Sequence, residues 1–332
     1  MATRLLQHRS ADGTRRVILA TGDSAVFLDS PATVRELAQA AIAAGQSLAD
    51  AAAARAGTQA VDIAAELAAG TLLPAIDHGD TARVWLTGTG LTHLGSAEGR
   101  DKMHRDAAQA EKQTDSMRMF LEGLEGGKPA AGSEGQQPEW FYKGDGTQLV
   151  GPGQPLTMPA FAKDGGEEPE LAGIYLIGAD GTPWRLGLAL ANEFSDHVTE
   201  RHNYLWLAHS KLRQAALGAE LLLGTPPTDI RGTSRVLRDG ATLWEKPFLS
   251  GEDNMSHSLA NLEHHHFKYG LFRRPGDIHV HFFGTATLSF SDGIKTQEGD
   301  AFEIAAAPFA LPLHNRLARA EAGPVPFAVK VL

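Results

Sequence analysis

The 332-residue chain has no cysteine, which excludes disulfides, thiolate zinc sites and cysteine nucleophiles. Long apolar runs are missing too. The opening MATRLLQHRSADGTRRV has no apolar core of signal-peptide length, and no later stretch is long enough to span a bilayer. Positive charge is in deficit, with 30 Lys and Arg against 40 Asp and Glu and a formal net charge of −10. That balance argues against nucleic acid or an anionic membrane as the main partner. It still permits an anionic small molecule, because a cation and a few local Lys or Arg can reverse the field inside a pocket. No fixed-period repeat is present. The expectation is a soluble, cytoplasmic, globular protein long enough for two domains.

What is present divides near residue 80. Residues 1–80 read as a small α/β domain. Strands at Arg16–Ala20 and Ala25–Leu28 flank the turn Thr21-Gly22-Asp23, and a helix opens at Ser30-Pro31. Ala-rich helices then follow from about Ser47 and from Val61 to Ala69. Residues 81–332 read as β-dominated with two or three helices, so the class is α+β. A strand over 82–87 leads into Gly88-Thr89-Gly90, whose glycines let backbone approach a ligand closely. Helical spacing covers 97–124 and predicts a second helix over Asn203–Leu223, stopped by Gly224-Thr-Pro226-Pro227. The Gly/Ser/Pro-rich run Gly126–Gln137 reads as a mobile surface loop. Asp239-Gly240 is the turn of a β-hairpin.

The chemistry concentrates between Glu168 and Lys211. Glu168 and Glu170 sit two apart at the start of a strand and so share a face. Leu171–Ile177 turns at Ala179-Asp180-Gly181 and returns through Arg185–Ala191 to Glu193. Three carboxylates at one end of a hairpin supply only oxygen, which suits Mg²⁺, Mn²⁺ or Ca²⁺ rather than zinc. Solvated strand-end glutamates are the other reading of the same residues. His264-His265-His266 and His279-x-His281 are rival metal ligands, but three consecutive histidines on a helix point in three directions. Ser96, in Gly95-Ser96-Ala97-Glu98-Gly99, only loosely matches a hydrolase elbow. Lys143 and Lys211 are surface cations unless an acidic pocket surrounds them, where they become carboxylate partners or bases.

This ordered set resembles the fumarylacetoacetate hydrolase superfamily. Its catalytic domain carries a Glu-x-Glu pair, an acidic third ligand and a later lysine around Mg²⁺ or Mn²⁺. Glu168, Glu170, Glu193 and Lys211 stand in those places. Pro138-Glu-Trp-Phe-Tyr-Lys143-Gly144 is similar to the family's Pro-x-x-Phe-x-Lys strand, and Gly284-Thr285 to its substrate loop. Two departures matter. The third ligand is usually aspartate, and here it is Glu193, longer by a methylene. Hydrolytic members carry a histidine where Leu91-Thr92-His93-Leu94-Gly95-Ser96 has Ser96. That form resembles the branch of 2-keto-3-deoxy sugar-acid dehydratases, to which 2-keto-3-deoxyarabinonate dehydratase belongs.

The resemblance implies a β-rich catalytic domain, a mixed-sheet roll, preceded by the small N-terminal domain. It implies a metal-dependent dehydratase of a small 2-keto acid, a homo-oligomer (dimer or tetramer) serving non-phosphorylative sugar-acid catabolism. Glu168, Glu170 and Glu193 would hold the metal. Lys211, its pKa lowered by burial and a cation neighbour, would be the base, with Glu168, Ser96 and His93 also catalytic. Lys143, Gly144, Tyr142, Gly284 and Thr285 would bind substrate, and the Gly126–Gln137 loop would close as a lid. The alternatives are hydrolytic C–C cleavage of a 2,4-diketo acid to pyruvate, with His93 as water base, and a non-catalytic sugar-acid-binding protein.

Overall fold

The computed structural model describes residues 2–95, 114–323 and 326–332. Most strands belong to one large mixed sheet. Its N-terminal third is β1 (Thr3–Arg9), β2 (Arg15–Thr21), β3 (Ser24–Leu28) and β4 (Ala56–Ala60). Strands β5 (Val84–Gly88), β6 (Phe141–Asp145), β7 (Leu149–Val150), β8 (Leu156–Met158), β9 (Pro169–Ile177) and β10 (Pro183–Asn192) follow. After them come β11 (Ala215–Leu217), β12 (Leu221–Leu222), β13 (Ile230–Arg238), β14 (Ala241–Ser250), β15 (Ile278–Phe282), β16 (Ala301–Ala306) and β17 (Leu313–Arg319). The main path runs β4-β3-β2-β1-β12-β10-β9-β15-β5-β6, and a second sheet runs β14-β13-β16-β17-β8. The class is α+β, as the sequence pattern indicates.

Residues 1–80 carry their own helices, yet their strands continue the main sheet through β1–β12 pairing, with Leu5 opposite Leu221. Helix α1 (Val34–Ala44) starts one turn later than Ser30-Pro31 suggests. Its N-cap is Thr33, whose side chain accepts from the Glu36 N–H, and the Ser30-Pro31 peptide is cis. Helix α2 (Leu48–Ala53) is capped by Ser47 and α3 (Ile63–Ala68) by Asp62. Alternate residues of β10 separate two cores. Ala189 and Ala191 join Leu37, Ala41 and Leu86, whereas Leu188 and Leu190 pack with Val236, Phe302 and Ile304 of the second sheet.

Three further helices matter for the site: α4 (Asp115–Gly126), α5 (His197–His202) and α6 (Leu207–Lys211). The expected helix over 203–223 therefore ends at Lys211, and Ala215–Leu222 forms β11 and β12 instead. The reason is tertiary. Its apolar run is buried on both faces and pairs with β10 and β1, which helical spacing alone does not distinguish from a helix. Gly126–Gln137 is also not the free loop expected. It is fastened to α7 (Leu259–Phe267) by Gly135 N–H to Asn261 Oδ1 at 3.1 Å, Asn261 Nδ2 to the Gln136 carbonyl at 2.8 Å and Lys268 Nζ to Gln137 Oε1 at 2.9 Å. Low regular structure does not imply mobility when the backbone has side-chain partners.

Three of the histidines weighed as metal ligands, His266, His279 and His281, form a buried cluster instead, while His264 and His265 lie near Glu134. His266 Nε2 lies 2.9 Å from His279 Nδ1, Trp140 donates to His266 Nδ1 at 3.2 Å, and His266 stacks on His281 at 4.6 Å. Burial pushes the His266 pKa down to about 3 and holds His279 and His281 well below their ordinary value. All three fold neutral, while the unfolded chain protonates below about pH 6.5. Their contribution is therefore full above that pH and is lost as pH falls, by up to about 1.4 kcal/mol per histidine per pH unit. Urea midpoints measured from pH 7.5 to pH 5 are expected to drop, and more shallowly in His266→Phe; a flat profile contradicts this cluster's burial.

Candidate active site

The β9–β10 hairpin assembles the carboxylates. Glu170 pairs with Ala191 in register, and the Glu193 N–H donates to the Glu168 carbonyl at 3.0 Å, so Glu193 lies across from Glu168. One oxygen from each of Glu168, Glu170 and Glu193 lies within 4.8 Å of the others, and all three residues are buried. The solvated-glutamate reading is thereby removed.

Burying three carboxylates together sets their charges apart. Burial, then Glu193 and Glu168, holds the Glu170 pKa well above the ordinary range. Glu193 is raised by burial and Glu168. For Glu168 burial also raises, but Lys211 and then His197 outweigh it and hold it well below the ordinary range. Lys211 Nζ lies 2.5 Å from Glu168 Oε1 and 3.2 Å from Glu193 Oε1. Burial alone would lower its pKa, but Glu168, Glu193 and Glu200 together raise it. The lowered pKa expected for Lys211 is thus reversed: in this arrangement it is an ammonium.

These residues fit a hard divalent cation. The donors are all carboxylate oxygens, and buried Glu170 Oε1 has no hydrogen-bond donor, while Glu193 Oε1 meets the ammoniums of Lys211 at 3.2 Å and Lys143 at 3.6 Å. Such buried acceptors are costly unless positive charge reaches them.

A small recess of about 20 Å³ opens onto the three glutamates and Lys211. Among the described residues Thr89, Gly90, Leu91, Phe141, Gly284, Thr285 and Leu288 also line it. A wider cleft of about 600 Å³ beside Trp140, Tyr204 and Phe272 has neither these carboxylates nor the lysine, so size does not locate the chemistry. Gly284 has a φ of +96, and a Cβ there would lie 2.5 Å from Thr92 Oγ1, which demands glycine. Its N–H donates to Glu170 Oε2 at 2.7 Å and so orients a carboxylate. Thr285 lines the cavity, its Oγ1 accepting from the Thr287 N–H at 3.2 Å.

Other expected residues are placed differently. Lys143 is fully buried behind the glutamates, donating to the carbonyls of Phe194 at 2.5 Å and Lys211 at 3.2 Å, with Glu193 Oε1 at 3.6 Å. Burial pushes its pKa down to about 8. It braces the third carboxylate and does not line the cavity. Tyr142 points to the opposite face of β6, against Trp85, because strand side chains alternate; Phe141 lines the cavity instead. Gly144 pairs with Leu86 at a β-bulge and is also absent from the lining.

His93 is buried, with Nε2 3.0 Å from Ser250 Oγ and Nδ1 3.1 Å from Thr92 Oγ1, and burial pushes its pKa down to about 3. It ties the 89–95 segment to β14 rather than facing the cavity. Ser96 lies outside the described residues, and the Gly126–Gln137 loop contributes nothing to the cavity wall.

Sequence reasoning missed two neighbours. His197 contacts Glu168 Oε1 at 3.1 Å and Asp164 Oδ2 at 3.4 Å. Burial alone would lower its pKa, but Asp164 and Glu168 push it up to about 10. Its position four residues after Glu193 was the available signal. Glu167 accepts from the Ser289 N–H at 2.8 Å and from Ser289 Oγ at 2.7 Å, pinning the segment that carries Thr285 and Leu288. Ser289→Ala removes one of those bonds, worth about 1 kcal/mol. It is expected to raise the KM for substrate about fivefold with little change in kcat; steady-state kinetics check this.

No protein-family model matches the sequence, and no curated protein matches it. Solved structures do. The apo form of a 2-keto-3-deoxy-D-arabinonate dehydratase superposes with a TM-score of 0.69 at 17% identity, over 96% of this chain and 100% of that one. The chain has that enzyme's fold. A form complexed with magnesium and 2,5-dioxopentanoate gives 0.68 at 17% identity over the same shares. A 5-carboxymethyl-2-hydroxymuconate delta-isomerase from Mycobacterium smegmatis gives 0.55 at 18%, again over 96% and 100%. The fold expected from the fumarylacetoacetate hydrolase resemblance is therefore found, shared by enzymes of different reactions. Among the described residues no helix is long and apolar enough to cross a membrane.

Proposed function

We propose that this chain is a divalent-metal-dependent dehydratase that converts a 2-keto-3-deoxypentonate to 2-ketoglutarate semialdehyde and water. The observation that carries the reading is the buried Glu168–Glu170–Glu193 cluster facing Lys211 in one small cavity. The magnesium complex of the dehydratase with the same fold supports it.

Glu168, Glu170 and Glu193 would hold Mg²⁺ or Mn²⁺. Bound there, the cation supplies positive charge that polarises a keto carbonyl and stabilises the enolate. Lys211 is the one basic side chain lining the cavity among the described residues, and it handles the proton traffic. Lys211, its proton released when positive charge offsets the carboxylates, would take the C3 proton, and the C4 hydroxyl would leave as water; a proton moved from C5 to C3 would then give the C4–C5 enol, and transfer of the enol O–H proton to C4 would yield the aldehyde. Lys211 as an ammonium is placed to protonate the leaving hydroxyl. The carboxylates that hold it protonated are those proposed for the cation, so the amine's pKa is tied to the charge of the site. Thr89 and Thr285 present hydroxyls for the sugar end, and Leu91, Phe141 and Leu288 limit water.

The hydrolytic alternative relied on His93 as a water base. Both of its ring nitrogens have protein partners and it lies outside the cavity wall, which favours dehydration. The test is product analysis with Mg²⁺ and either 2-keto-3-deoxypentonate or 2,4-diketopentonate. Semialdehyde from the first supports the proposal. Pyruvate from the second, with the first untouched, replaces dehydration by C–C hydrolysis. No product from either leaves a binding protein.

A further inference from the structure

Glu168 differs from its two partners in how it is held. Both cationic neighbours meet the same oxygen: Lys211 Nζ at 2.5 Å and His197 Nε2 at 3.1 Å from Oε1. Oε2 has no hydrogen-bond partner among the described residues. The histidine has further neighbours of its own. Asp164 Oδ2 lies 3.4 Å from Nδ1, and Phe290 stacks on the ring at 5.2 Å with a 26° tilt. Beneath it runs the isolated bridge Gly166–Ser195, closed by N–H···O bonds of 3.0 and 3.1 Å. A Cβ on Gly166 would lie 2.5 Å from His197 Nδ1, so the ring's seat exists because that position is glycine.

We propose that Asp164 and His197 act as a positioning pair that turns Glu168 so that Oε1 faces the protein's own cations and Oε2 is kept for the metal. This rests on the metal-site reading above. The logic is that of outer-shell partners generally. A ligand carboxylate with free rotation loses entropy when it binds a cation, whereas one already hydrogen-bonded on a single oxygen does not. Glu170 is oriented in a parallel way, its Oε2 held by the Gly284 N–H. His197 does not itself line the cavity and handles no reacting atom; its effect passes through Glu168.

The test is Mn²⁺ binding to the purified full chain, followed by electron paramagnetic resonance of the free ion, with the metal-free Tm recorded for each variant. His197→Phe keeps a ring against Phe290 but donates nothing, and is expected to weaken Mn²⁺ about 10- to 100-fold. His197→Gln restores one N–H and is expected to recover most of that loss, to within about threefold of wild type. Gly166→Ala leaves the histidine in the chain but displaces its ring, and is expected to weaken Mn²⁺ about tenfold. A merely structural role would lower Tm without this ordering of affinities. Binding by His197→Phe and Gly166→Ala within about twofold of wild type overturns the positioning role. If wild type itself binds no Mn²⁺, it is the metal-site reading that falls.

Discussion

Glu170→Gln is expected to cost about 10³-fold or more in kcat/KM, because it removes one of the three anionic donors proposed to hold the cation. The same substitution is expected to make the metal-free protein more stable. Burial, Glu193 and Glu168 raise the Glu170 pKa well above its ordinary 4.5. A raised carboxyl contributes stability that is full below the unfolded pKa and is lost as pH rises toward the folded value. At neutral pH the acid therefore weighs against folding, and glutamine, still able to accept from the Gly284 N–H, does not. Metal-free Tm at pH 7.5 should rise by roughly 2–4 °C, about what 1 kcal/mol is worth. The gain should shrink toward pH 5. A variant that is active, or one destabilised at pH 7.5, contradicts this description. Activity and stability moving in opposite directions is characteristic of a site held together against like-charge repulsion.

Lys211→Met has the complementary signature. Turnover is expected to fall about 10²- to 10⁴-fold, the usual weight of a positioned acid or base. Metal-free stability should fall as well, because Lys211 is the ammonium that meets both Glu168 and Glu193 in the buried site. Removing one partner of a buried pair costs about 3–5 kcal/mol, or roughly 6–20 °C in Tm. Magnesium should then stabilise the variant more than it stabilises wild type, since the cation no longer shares those oxygens with an ammonium. Differential scanning fluorimetry across a magnesium series separates the effects. A Lys211→Met protein with normal turnover, or with an unchanged magnesium response, removes Lys211 from the site's charge balance.

The carboxylate hairpin was legible because everything that makes it is local. Glu168-x-Glu170 shares a face by strand period, and the 178–182 turn returns the chain so that Glu193 lies across from Glu168. Asp239 and Gly240, with φ of +52 and +79, likewise form the expected hairpin turn. What failed depends on partners distant in the chain. Apolar spacing over 203–223 fits a helix until β1 and β10 are present to pair with it. Tyr142 and Phe141 are both plausible wall residues until the strand's inner face is known. Lys143 reads as substrate-facing until Glu193 and the Phe194 carbonyl surround it. The sign of the Lys211 shift differs because the expectation weighed burial and a neighbouring cation, whereas the charges that meet the amine here are those of Glu168, Glu193 and Glu200. His197 was missed because what seats it is distant in the chain: Asp164 and Gly166 precede the hairpin, and Phe290 follows β15.

The most direct test of the central claim is anomalous scattering from crystals of the full chain grown with Mn²⁺. The account expects one dominant peak within coordination distance of Glu168, Glu170 and Glu193, lost in Glu170→Gln crystals and retained when a 2-keto acid is added. A dominant peak at His264, His265 and Glu134, the other cluster of ligand atoms close enough to share an ion among the described residues, would contradict it.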